Sequence, residues 1–237
     1  MVVTWISRKS GRQVDEDAVG KVRVKNILCV AVADGLGGFN GGHIASKLAI
    51  NAVLEAFSQN PGFSKAHLEK YIESARRSVV DKAMEEPDLF HMLSTIAVLL
   101  VKGKRALWAN VGDSRIYMFN DELISHVSED HSVAFLDFVR GNIEYGDIRK
   151  SINKNKLTSA LGVNMDSVNY SNEVRLDASS AFLLCTNGWW SYITEEDMEE
   201  TFNKSKTAKE WLENMLKIRD AVAPEKSDDY TAAVVKI

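Results

Sequence analysis

Cysteine and proline are scarce in this sequence, with two of the first and three of the second among 237 residues. Two cysteines make no disulfide framework of the kind small secreted domains rely on. Cys29 and Cys185 each lie within an apolar, strand-like run, where a free buried thiol is the ordinary state. A reducing, cytoplasmic setting is therefore expected. With so few prolines and no Ser/Gly tract nothing reads as a linker, and one domain over residues 1–237 is expected. No apolar run approaches the roughly 20 residues that span a bilayer, and Met1 to Gly11 has no apolar core of a signal peptide. An excess of basic charge is missing too. A net charge of −4, without any Lys/Arg-rich stripe among aromatics, argues against nucleic-acid binding.

Familiar catalytic motifs are also lacking. There is no Walker loop, no Gly-x-Ser-x-Gly elbow and no Cys-x₅-Arg loop. The five histidines include no pair at the i, i+4 spacing of a zinc helix. Gly35-Leu36-Gly37-Gly38 has the look of a dinucleotide loop, but the third glycine is misplaced and no βαβ pattern follows.

What is present centres on Val30 to Gly38. The apolar run Ile27 to Ala33 reads as a buried strand that stops at Asp34, with glycines at 35, 37 and 38. Glycines let backbone carbonyls approach whatever the acid holds. Upstream, Asp15-Glu16-Asp17 precedes a strand-like Val19 to Val24. The two stretches together predict a hairpin with facing carboxylates, an arrangement suited to a hard cation. Thr4 to Ser7 reads as a short edge strand.

Ile44 to Phe57 and Lys65 to Met84 carry apolar residues at helical spacing. A meander of antiparallel strands is expected next: Thr95–Val101, Arg105–Val111, Arg115–Phe119 and Leu123–Val127. Asp130 to Arg140 is helical in pattern, and the polar stretch Gly141 to Lys156 reads as a mobile flap beside the site. Strands at Val174–Leu176, Ala181–Cys185 and Tyr230–Ile237, with helices at Glu195–Phe202 and Ala208–Val222, complete an α+β chain of segregated layers.

Strand after strand ends in an acid or amide beside a polar turn: Asp15 to Asp17, Asp34, Asp113, Asn187, Asp228 and Asp229. Carboxylates gathered together repel, and a divalent cation removes the repulsion. On eight pieces in order the chain resembles the metal-dependent protein phosphatases of the PP2C (PPM) class. These are Arg12 to Ala18, Asp34 to Gly38, Ser94-Thr95, Ala109 to Arg115, Asp130 to Ser132, Leu157 to Gly162, Leu184 to Trp189, and Asp228 to Thr231.

The resemblance implies a central antiparallel β-sandwich flanked by pairs of α-helices, a four-layer αββα fold. It also implies hydrolysis of phosphoserine and phosphothreonine in proteins by a water activated at a binuclear Mn²⁺ or Mg²⁺ centre. By the same resemblance Asp34 bridges the metals, with the Gly35 carbonyl and Glu16 on one of them. Asp17 holds a metal-bound water, Asn187 and Asp228 lie at the other metal, Asp113 serves a third, weaker site, and Arg12 holds the substrate phosphate. The implied partner is a phosphorylated protein, the substrate of a Ser/Thr kinase, met by a cytoplasmic monomer without nucleic acid or membrane.

One departure bears on activity. The family motif places aspartate where this chain has Asn187. An amide oxygen still coordinates but brings no negative charge, so affinity at that metal falls. An introduced substitution fits this pattern, and so does a natural, weakly active or inactive phosphatase; the intact motif around it favours the first. Smaller departures are Asp229, where asparagine is usual, and Leu36, where some members have histidine. Two other readings are kept, a non-catalytic pseudophosphatase that binds a phosphoprotein or partner and a calcium-binding structural protein. Trp189 and Trp190 are expected in the core, and Ser114 and His131 in structural roles.

Overall fold

The computed structural model describes residues 1–10, 14–37, 41–162 and 165–237. In chain order these form β1 (Val2–Arg8), β2 (Asp17–Val24), β3 (Ile27–Leu36), α1 (Gly41–Gln59), α2 (Lys65–Glu85), β4 (Leu93–Ser94), β5 (Ile96–Lys102), β6 (Arg105–Val111), β7 (Arg115–Asn120) and β8 (Leu123–Val127). There follow α3 (Val133–Val139), β9 (Asn169–Tyr170), β10 (Val174–Arg175), β11 (Ala181–Cys185), α4 (Asn187–Trp190), α5 (Glu195–Lys204), α6 (Ala208–Val222) and β12 (Tyr230–Lys236). One antiparallel sheet runs β1-β12-β11-β7-β8, and the other β10-β6-β5-β3-β2 with β4 on β3 and β9 on β6. First and last strands pair, Val2 opposite Lys236 through Arg8 opposite Tyr230.

Side-chain alternation turns this into four layers. In β3, Leu28, Val30 and Val32 point between the sheets, where they meet Leu99, Ile116, Phe182, Leu184 and Val235. The alternate residues Cys29, Ala31 and Ala33 face outward onto Ile50, Val53, Phe57, Leu68 and Ile72 of α1 and α2. On the far side Trp211 and Met215 of α6 and Met198 of α5 cover Phe119, Leu183, Cys185 and Val234. Central strands are thus apolar at every position because both faces are buried. The fold is α+β, the sandwich with outer helix pairs that the resemblance implied. Cys29 and Cys185 are free, buried thiols, and among the described residues no helix is long and apolar enough to cross a membrane.

The expected meander is corrected. β5–β6 belongs to one sheet and β7–β8 to the other. The chain changes sheets at Gly112-Asp113-Ser114, where Gly112 takes φ +88, a conformation that favours glycine. The helix expected from Asp130 begins later, at Val133, because Ser132 caps it by accepting from Phe135 N at 3.2 Å. Asp130 instead makes a two-pronged ion pair with Arg115, at 2.9 and 2.7 Å, with both side chains buried. The polar stretch after α3 is fastened to the molecule rather than loose. It forms a 3₁₀ turn, Tyr145–Lys150, with Ile148 buried and Arg149 bonded to the Trp190 and Ile193 carbonyls and to Glu195.

Candidate active site

The β2–β3 hairpin places Asp17 directly opposite Asp34 in the ladder, as the two acidic stretches predicted. Asp34 is clamped through its own backbone. Its N–H donates to Thr95 Oγ1 at 2.9 Å, and its carbonyl accepts from Thr95 N at 2.8 Å and from Ser94 Oγ at 3.2 Å. Gly35 N donates to the Glu16 carbonyl at 3.0 Å. A Cβ on Gly35 would sit 1.9 Å from the Gly42 carbonyl oxygen, so the close approach of β3 to α1 admits only glycine.

Two residues to which the sequence assigned no role tie distant segments to this hairpin. Thr186 donates its hydroxyl to Asp17 Oδ2 at 2.7 Å and accepts from Thr231 N at 2.9 Å. Asp229 accepts from Ser10 N at 2.7 Å and Glu16 N at 2.9 Å, fixing the loop that carries Glu16. The sequence shows Asp229 as one of the acids at strand ends and a departure from the motif, and Thr186 as a letter in it; the contacts of neither are visible without the fold. Asn187 follows Thr186 at the start of α4 and shares a cavity of about 430 Å³ with Asp228, Ser10, Lys154 and Ser227. Gly188 is as constrained as Gly35, since a Cβ there would lie 1.9 Å from the Asp229 carbonyl oxygen.

Asp113 stands where the chain crosses between sheets, with its carbonyl held by the Trp190 indole N–H at 2.8 Å. Trp189 and Trp190 are fully buried, and the guanidinium of Arg115 stacks 3.7 Å from the Trp190 ring centroid. Ser114 hydrogen-bonds Thr95 at 2.7 Å, and His131 Nδ1 accepts from Gly112 N at 3.1 Å; both are structural, as expected. Arg12, the expected phosphate-binding residue, lies outside the described residues.

At this end of the sandwich burial shifts the titration of several side chains. Burial pushes the Asp17 carboxyl up to about 8, against the hydrogen bonds of Thr186 and Thr231, with help from the charges of Asp15 and Asp229. Burial and the charge of Asp130 push Asp113 up to about 7, with Asp228 adding to the effect. Burial pulls the Lys154 ammonium down, opposed by the charges of Asp228 and Asp113. Asp17 Oδ1, both carboxylate oxygens of Asp113 and Asn187 Oδ1 are buried without a hydrogen-bond partner. Orphaned buried oxygens are rare in proteins; the Tyr145 hydroxyl is another, while those of Asp17, Asp113 and Asn187 belong to residues at or beside strand and helix ends.

Among the described residues no three His, Cys, Asp or Glu side chains stand close enough together to hold a metal ion by themselves. The groups offered at this end are of mixed type: the carboxylates of Asp34 and Asp228, the amide oxygen of Asn187 and the backbone carbonyl of Gly35. All are oxygens, the donor chemistry of Mg²⁺ and Mn²⁺.

A family model described as Protein phosphatase 2C matches residues 7–227. The chain belongs to the protein phosphatase 2C family. Among relatives, it is 31% identical over 205 residues to the serine/threonine phosphatase stp of Listeria monocytogenes serovar 1/2a, covering 84% of this chain and 81% of that protein. It is 27% identical over 173 residues to PstP of Mycobacterium tuberculosis, covering 72% of this chain and 33% of the relative. The crystal structure of the Mycobacterium tuberculosis phosphatase PstP/Ppp superposes with a TM-score of 0.87 at 22% identity, covering 100% and 98% of the two chains. A structure of the PstP catalytic domain in complex with two manganese ions gives 0.85 at the same identity, covering 99% of this chain and 97% of that one. At such identity the likeness is one of fold. Within this family fold Asp17, Asp34, Asp113, Asn187 and Asp228 lie at or near strand and helix ends.

Proposed function

We propose that residues 1–237 form one phosphatase domain that hydrolyses phosphoserine and phosphothreonine in proteins, using two Mn²⁺ or Mg²⁺ ions. The observation that carries this reading is the set of partnerless buried oxygens on Asp17, Asp113 and Asn187. Asp34, Glu16, the Gly35 carbonyl, Asn187 and Asp228 would hold the ions, and Asp113 would serve a third, weaker position. When bound, such ions bring a water's pKa near neutrality and neutralise charge on the phosphoryl oxygens.

The protein's own groups do the rest. Asp17, buried and steadied by Thr186, orients the attacking water through its partnerless Oδ1. Arg12, four residues before Glu16, offers the planar fork that suits phosphate oxygens. No nucleophilic side chain is required. The thiols of Cys29 and Cys185 are buried, and burial holds both well above the usual thiol range. The physiological substrate is a phosphoprotein made by a Ser/Thr kinase, and the enzyme works as a cytoplasmic monomer.

Asn187 supports a second reading, because a neutral amide at a ligand position weakens cation binding. On that reading the chain is a pseudophosphatase that binds phosphoproteins without turnover. Mn²⁺-dependent hydrolysis of p-nitrophenyl phosphate, by this chain and by Asn187→Asp, separates the two. Activity that appears or rises in N187D identifies a disabled enzyme. Two inert proteins that still bind a phosphopeptide identify the binding module.

A further inference from the structure

The cavity beside Asn187 and Asp228 has wall chemistry opposite to that of the carboxylates. Its lining carries two ammonium groups, Lys154 and Lys226, and the hydroxyls of Ser10, Ser191 and Ser227. Asp228 is the one carboxylate among its described lining residues. In a chain of net charge −4 this is a local reversal of sign. Ammonium and hydroxyl groups are hydrogen-bond donors and suit an oxyanion.

Lys154 is held in place rather than waving in solvent. It is half-buried, and its Nζ donates to the Arg149 carbonyl at 3.2 Å and to Ser191 Oγ at 3.1 Å. An ammonium has three N–H donors, so one is left for the cavity. The segment beneath it is pinned, since Arg149 donates to the Trp190 carbonyl at 2.9 Å and pairs with Glu195. Trp190 in turn holds the Asp113 carbonyl. The ammonium is therefore positioned by the same framework that positions the candidate centre, and ordering it for a ligand costs little entropy.

We propose that Lys154 is a substrate-binding residue that gives a charge-assisted hydrogen bond to an oxyanion of the phosphoprotein held in this cavity. The inference rests on the phosphatase-family reading of the adjoining site. The oxyanion comes from one of two sources, the phosphoryl group itself or an acidic side chain next to the phosphoresidue. Lys226, exposed on the cavity rim, adds to the attractive field.

The test uses two fluorescent phosphoserine peptides that differ only in flanking Glu or Gln, with binding read by anisotropy in Mn²⁺. Lys154→Gln is compared with Lys154→Arg, and thermal melts check the fold of both. Loss of one charge-assisted bond is expected to weaken binding roughly tenfold in K154Q, with most of the affinity kept in K154R. If the phosphoryl group is the source, both peptides weaken alike and KM for p-nitrophenyl phosphate rises in the Asn187→Asp background. If a flanking acid is the source, only the Glu peptide weakens. Either pattern supports the assignment. Unchanged affinity of K154Q for both peptides overturns it, as does failure of the unaltered chain to bind either one. Anisotropy needs no turnover, so absence of hydrolysis in N187D would count against the enzyme reading while leaving the Lys154 question decided.

Discussion

The hydroxyl of Thr186 donates to Asp17 Oδ2 at 2.7 Å, joining two residues 169 positions apart. The bond is buried, and Thr186 is followed by Asn187, so one short contact sets the distance between the hairpin acids and the amide. Thr186→Val keeps the shape, removes the hydroxyl and leaves both Asp17 and the Thr231 N–H short of a partner. A loss of about 1–3 kcal/mol is expected. Chemical denaturation of the metal-free protein measures it, and a change within about 0.5 kcal/mol, as for an ordinary surface substitution, would mean the bond does not organise the site.

The protonation of Asp17 and Asp113 makes stability depend on pH with a definite sign. Both carboxyls are raised in the folded state, to about 8 and about 7, above their unfolded value of 3.8. Between those limits the folded chain binds protons that the unfolded chain has released. Stability is therefore full below pH 3.8 as far as these two groups are concerned, and is lost as pH rises towards 7–8. With EDTA present, Tm is expected to fall between pH 5 and pH 8, by about 2–4 °C for each kcal/mol lost. Saturating Mn²⁺ should flatten the slope, because a cation favours the ionised carboxylates. A metal-free Tm that rises over the same interval would contradict the assignment.

Gly35 and Gly188 are held by contact rather than by dihedral angle. Each would place a Cβ 1.9 Å from a backbone carbonyl oxygen, that of Gly42 or of Asp229. Backbone cannot swing aside as a side chain can, so Gly35→Ala and Gly188→Ala should each destabilise by about 3 kcal/mol or more. Gly103→Ala is a control, since nothing lies within 4 Å of a Cβ there; its cost should be smaller and arise only from its φ of +58. Melting curves of the three variants rank them. A Gly35→Ala protein as stable as the parent would show that β3 and α1 do not approach so closely.

Arg115 and Asp130 form a buried, two-pronged pair. Asp130→Asn removes the two-pronged partner and leaves the guanidinium, buried against Trp190, to the more distant Glu195 carboxylate at 3.7 Å, so a cost of about 3 kcal/mol is expected. Replacing both by apolar residues of similar volume should cost less than the single change. Urea titration of the single and double variants tests this, and an additive double variant would contradict it.

Much of the architecture was legible because periodicity and burial agree. The strand run from Ile27 and the strands at Arg105–Val111, Leu123–Val127 and Ala181–Cys185 emerged where the apolar pattern placed them, as did the helix Ala208–Val222. The change of sheet at Gly112 was not legible, because a hairpin and a crossover leave the same turn signal of glycine, aspartate and serine. The facing of Asp17 and Asp34 could be read because a two-strand hairpin fixes register locally. The roles of Thr186 and Asp229 could not, since their partners lie 169 and 213 positions away. The fastening of the polar stretch 141–156 through Arg149 escaped for the same reason: its anchors, the Trp190 carbonyl and Glu195, are remote in sequence.

On the proposed reading Asp34, Asn187, Asp228 and the Gly35 carbonyl hold divalent cations together. The decisive measurement is an anomalous difference map from crystals grown with Mn²⁺. Two peaks among these four groups are predicted, the one beside Asn187 being the weaker and gaining occupancy in Asn187→Asp. Crystals saturated with Mn²⁺ that show no peak between Asp34 and Asp228 would contradict the account.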